Sequence, residues 1–118
     1  MTEFYEQVKE RLMRYARINT ESNPHSTSVP TTSCQHDLAK VIYEELQQIG
    51  ATNVYYDKDT CVVYGSLEAN VKTGRAIGFV THMDTAPDAS GKDVKPWVLE
   101  NYDGNDIVLN KPELFMKI

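Results

Sequence analysis

A chain of 118 residues, 41% apolar and 25% charged, has the size and composition of one globular domain and leaves no room for two. Its formal charge of −5 excludes the basic face that nucleic acid or an anionic membrane surface requires, so neither is an expected partner.

The first element is predicted over residues 3–17, where Phe4, Val8 and Leu12 recur at helical spacing with Tyr5 and Tyr15 alongside. Thr2 is placed to cap it. NTESNPHSTSVPTTS, with Pro24 and Pro30, reads as a long surface loop. A second amphipathic helix follows, with Leu38, Val41, Ile42, Leu46 and Ile49 on one face, Thr32 and Gln35 as a capping box, and Gly50 to end it. TNVYYD and TCVVYGSL are β-branched and aromatic runs joined by Asp57, Lys58 and Asp59, a strand–turn–strand pattern. After the polar turn NVKTGR comes a nearly unbroken apolar run, residues 76–82, as expected of a strand covered on both faces. Residues 97–99 and 106–109 are candidates for short strands on either side of the turn signal YDGN. Two helices and then strands predict an α/β fold with helices packed on a sheet. No helix is expected to follow and cover the third strand, so the pattern reads as part of a larger fold.

MTEFYEQVKERLMRYARI lacks the basic start and apolar stretch of a signal peptide, and no apolar run approaches the roughly 18 residues of a membrane span. Cys34 and Cys61 are far apart and form no C-x-x-C pair, which suggests reduced thiols in a cytoplasmic protein. Gly-rich phosphate loops, G-x-S-x-G and H-E-x-x-H are absent. Ser90 before Gly91 reads as turn chemistry. His25 in its loop and His36 at a helix start read as solvated side chains, and Glu100, Asp103 and Asp106 as a solvated acidic face.

The chemistry concentrates in AIGFVTHMDTAPDASG, residues 76–91. In an extended segment residues i and i+2 point the same way, so His82 and Asp84 can face one site. A metal-binding histidine donates its second ring N–H to a partner, often a carboxylate, and the carboxyl ends of strands are where open α/β sheets bind ligands. On spacing alone the commoner reading is a strand-end histidine merely hydrogen-bonded to a neighbouring carboxylate, since a zinc site takes three or four protein ligands.

GFVTHMDTAPDASGKDV followed by ENYDGNDIVLN, with the R-x-N-T-x-S loop from Arg17 to Ser22, resembles the dinuclear zinc exopeptidases. That group includes aminopeptidase, carboxypeptidase and deacylase members. H-x-D with a following proline is shared across it, whereas H-x-D-T-x-P-D-x-S-G and ENY…G-x-DI resemble its tripeptide aminopeptidases. The resemblance implies that residues 1–118 are the N-terminal part of a catalytic domain: a truncated, partial three-layer α/β fold with helices packed on a mixed β-sheet. It further implies that His82 binds one of two zinc ions, and that Asp84 supports this histidine and counts among the catalytic residues. Tripeptides are then the substrate, and zinc lowers the pKa of the attacking water. The family's remaining ligands, its base glutamate and its inserted dimerisation domain lie later in the chain, so this segment alone is expected to be inactive and to bind zinc feebly. The alternative is a non-catalytic module that associates with itself or a partner through an uncovered sheet face or edge.

Overall fold

The computed structural model describes residues 3–72, 74–108 and 115–116. Helix α1 spans Glu3–Tyr15, with Glu3 and Glu6 in its first turn and Arg14 in its last, the distribution that complements the helix dipole. The proposed cap, Thr2, lies outside the described residues. Helix α2 spans Gln35–Gln48 and buries Leu38 and Ala39. Its expected capping box does not form. Cys34 takes the cap position without a side-chain bond to the helix. The Thr32 hydroxyl donates instead to the Glu21 carbonyl at 2.7 Å and accepts from the Gln35 side-chain amide at 3.2 Å. A second hydrogen-bond partner across the loop has outcompeted the local one.

At the other end of α2 the reading holds. Gly50 takes φ 81°, its N–H donates to the Gln47 carbonyl, and the Ala51 N–H donates to the Leu46 carbonyl. These two bonds close a Schellman turn, whose left-handed residue costs about 1 kcal/mol or more when it carries a Cβ.

Strands β1 (Thr52–Asp57) and β2 (Val62–Ser66) form the antiparallel hairpin expected. The ladder is irregular between Thr52 and Tyr55, where Asn53 has φ 51°. Asp57 organises the turn by accepting from the Asp59 N–H at 3.0 Å and the Thr60 hydroxyl at 2.7 Å. These bonds hold its carboxyl below the usual range. Helix α2 packs on this hairpin.

The third strand is not formed. Residues 76–82 pair with no other strand among the described residues, and Ile77 and Phe79 are 82% and 93% exposed. An apolar run records what a segment would bury, but a ladder also needs a neighbour, and among the described residues β1 and β2 pair with each other and with no third strand. Residues 97–99 are likewise outside any strand. Of the candidate at 106–109, Ile107–Val108 forms β3, antiparallel to β4 (Phe115–Met116); residue 109 lies outside the described residues. The described residues therefore make a small α/β structure with two two-stranded ribbons, and the expected mixed sheet is not among them. No described helix is long and apolar enough to cross a membrane.

The burial of this structure is correspondingly thin. Its radius of gyration is 17.5 Å, against about 13–14 Å for a compact chain of this length. Its accessible surface is 10041 Å², against roughly 6,500 Å² for a compact chain of this mass.

Helix α1 shows the same deficit, because it buries no residue and Phe4, Val8 and Leu12 are exposed. What fastens it is polar. Glu45 of α2, with a side chain only 14% exposed, accepts from Arg11 Nε at 3.3 Å and from Arg14 and the Tyr15 hydroxyl. Burial, the hydrogen bond to Glu45 and the Glu45 charge push the Tyr15 phenol up to about 12. A folded-state value above the ordinary phenol value of 10.0 means that this contribution to folding is complete below the unfolded value and is lost as pH rises through the folded one. A tyrosinate absorbance titration should therefore show a phenol ionising near pH 12 that disappears in Tyr15→Phe. If the wild-type and variant curves differ only by an ordinary phenol, the hydroxyl is not engaged.

Candidate functional site

Two stretches far apart in sequence meet at the candidate site. The Thr85 N–H donates to the Thr20 carbonyl at 3.1 Å, and the Thr85 carbonyl accepts from the Ser22 N–H at 2.9 Å and the Ser22 hydroxyl at 3.1 Å. These bonds make an isolated parallel bridge between Glu21 and Thr85. Asn19 accepts from the Glu21 N–H at 3.1 Å, the side-chain-to-backbone turn typical of asparagine. Glu21 Oε2 in turn accepts from the Gly91 N–H at 2.9 Å. Thr20, between them, is 2% exposed. The R-x-N-T-x-S loop thus clasps the segment that follows HMD at both ends, Thr85 and Gly91. Gly91 permits this approach: a Cβ there would lie 2.7 Å from Asn19 Oδ1.

His82 and Asp84 project just before this clasp. His82 Nδ1 lies 3.0 Å from the Asp84 carbonyl oxygen and 3.1 Å from Asp84 Oδ1. Both neighbours accept, so the proton of the neutral ring belongs on Nδ1 and the Nε2 lone pair is left free. The His82 side chain is 83% exposed, so that lone pair is accessible. Asp84 sits between two depressions. One, of about 240 Å³, is shared with His82, Met83, Cys61, Val62 and Ile42; the other, of about 400 Å³, is walled by Ser22, Asn23, Val29, Pro30 and Gln35.

A zinc ion needs three or four protein ligands. Among the described residues no group of three His, Cys, Asp or Glu side chains is placed to hold a metal. The residues present therefore fit one corner of a zinc site, a histidine with its ring oriented by a carboxylate, and do not complete one.

The other candidates fall outside this site. His25 is exposed, as read from its loop. His36 is not simply solvated: it is half-buried, shares a hydrogen bond with the Tyr56 hydroxyl, and meets that ring edge-on at 6.1 Å. Its place on the first turn of α2 turns it towards the hairpin. Burial pushes the Tyr56 phenol and the Cys61 thiol up from their ordinary values, which makes Cys61 a poor nucleophile. Cys34 is also a free thiol. Ser90 accepts from the Lys92 N–H at 3.3 Å, which is turn chemistry. Glu100, Asp103 and Asp106 are exposed. Bonds from the Asn105 backbone and side chain hold Asp103 below its usual range.

The sequence reading missed Asn19 and Glu21. The signal was an asparagine two residues before Glu21, the spacing of a side-chain-capped turn, but nothing local named Gly91 as the distant donor.

No protein-family model matches the chain. Among curated proteins it is similar to peptidase T of Alkaliphilus oremlandii, 48% identical over 105 residues, which are 86% of this chain and 25% of that protein. Peptidase T of Clostridium acetobutylicum is 48% identical over 107 residues, 90% of this chain and 26% of the relative. That of Geobacillus kaustophilus is 46% identical over 109 residues, 92% of this chain and 26% of the relative. The likeness runs along nearly the whole chain, and the chain spans about a quarter of the length of the curated relatives it matches.

Proposed function

We propose that this chain, similar to peptidase T along about nine-tenths of its length, is the N-terminal part of a zinc-dependent cytoplasmic aminopeptidase that releases the first residue of tripeptides. The observation that carries this reading is identity of 46–48% over more than 100 residues to three peptidases T. The exposed His82, with Asp84 on its Nδ1 side, supports the roles of zinc ligand and supporting carboxylate. When bound, zinc supplies a low-pKa water and polarises the scissile carbonyl. This chain's contribution is to present Nε2, to hold the ring through Asp84, and to fix both through the Asn19–Ser22 clasp. The remaining ligands and the general base belong to the other three-quarters of a peptidase T-length protein, so the 118-residue segment alone does not turn over tripeptides.

The test is a chimera in which this chain replaces the matching residues of the Alkaliphilus peptidase T, purified with zinc and assayed for release of a tripeptide's first residue. Activity within about tenfold of the parent, lost on chelation, is the expected result, with no turnover by the 118-residue chain alone. A folded but inert chimera, or a lone chain as fast as the parent, would sink the proposal.

A second reading has its own observation. The uncovered apolar run at Ile77, Phe79 and Val80 suits self-association through an unpaired extended segment.

A further inference from the structure

The geometry points to Glu21 as a positioning residue for the His82–Asp84 pair, a role that rests on reading His82 as a zinc ligand and Asp84 as its support. Glu21 is the point where three parts of the chain are tied together. Its carboxylate holds the Gly91 N–H at 2.9 Å, and its carbonyl accepts from the Thr32 hydroxyl at 2.7 Å. Its backbone lies in the bridge to Thr85, the residue after Asp84. The segment bearing His82 has no ladder neighbour on its N-terminal side among the described residues. Its orientation is therefore fixed from the C-terminal side, by the bridge at Thr85 and the carboxylate at Gly91. An exposed histidine keeps one tautomer only if its acceptor stays in place, and Asp84 stays in place through this clasp. The carboxylate needs its acceptor oxygen for this task and not its charge, because the donor is a neutral backbone N–H.

The chain itself, without metal, provides the test. Imidazole nitrogen spectra report the ratio of the Nδ1–H to the Nε2–H tautomer of His82, and amide exchange of α2 and the hairpin reports folding. In the wild type the Nδ1–H tautomer should dominate. Glu21→Ala should lower the Nδ1–H to Nε2–H ratio by about threefold or more, while α2 and hairpin amides keep their protection. Glu21→Gln, which keeps an acceptor oxygen, should restore the wild-type ratio. Gly91→Ala should reproduce the Glu21→Ala shift from the other side of the contact, since its Cβ would meet Asn19 Oδ1 at 2.7 Å. An unchanged ratio in Glu21→Ala, no rescue by glutamine, or loss of hairpin protection in the alanine variant would each overturn the assignment. Because no zinc enters this measurement, its failure leaves the aminopeptidase reading standing, and an inert chimera leaves the tautomer result standing.

Discussion

Replacing His82 with alanine should lower kcat/KM of the active chimera towards a tripeptide by about a thousandfold, the scale of losing several kcal/mol of metal-assisted stabilisation. The side chain is 83% exposed and, among the described residues, its hydrogen bonds are to Asp84, so the same change should leave α2 and the hairpin as stable as before. Asp84→Asn should cost less, about 10–100-fold, as expected for a group that orients a ligand without being one. The order of the two losses is the informative part. If His82→Ala keeps more than a tenth of the activity, His82 is a solvated histidine hydrogen-bonded to its neighbour and the zinc reading of this pair fails.

The second large effect concerns Phe79 and Val80. A large apolar side chain is worth about 1.5–3 kcal/mol when it leaves water, and here Phe79 is 93% exposed with Ile77 and Val80 uncovered beside it. The isolated 118-residue chain should therefore self-associate as its concentration rises and should bind an apolar dye. Replacing Phe79 and Val80 with aspartate should raise the dissociation constant of the assembly at least about a hundredfold and abolish most dye binding. A wild-type chain that sediments as a monomer at every concentration, with no dye bound, would show that this run is not sticky. In the chimera the same two substitutions should instead impair folding, because the run would have neighbours to cover it.

What could be read from the residues divides along a physical line. The C-terminal end of α2 with its Schellman turn at Gly50 and the hairpin around Asp57 are local: each is decided by residues within one or two turns of chain. His82 and Asp84 were legible as neighbours because i, i+2 spacing brings them within reach of each other, whereas the contacts that hold Asp84 in place come from the distant Glu21 loop. The strand at 76–82 was misread because its apolar run reports a demand for cover, and cover is a property of what lies opposite. Helix α1 shows this most plainly. Phe4, Val8 and Leu12 marked the face that ought to be buried, yet Arg11, Arg14 and Tyr15 do the holding. Glu21 was silent for the converse reason: a glutamate in a polar loop looks solvated until the fold brings Gly91 to it.

The Glu45 attachment of α1 has a consequence for how the molecule comes apart. Ion pairs at a carboxylate only 14% exposed are screened by salt much less than surface pairs are, whereas excluded salts such as sulfate strengthen apolar burial. A helix of 13 residues is marginal once undocked. Rising sulfate concentration should therefore tighten α2 on its hairpin and add little to the hold on the first helix, which buries no residue, so the two parts should respond to salt differently.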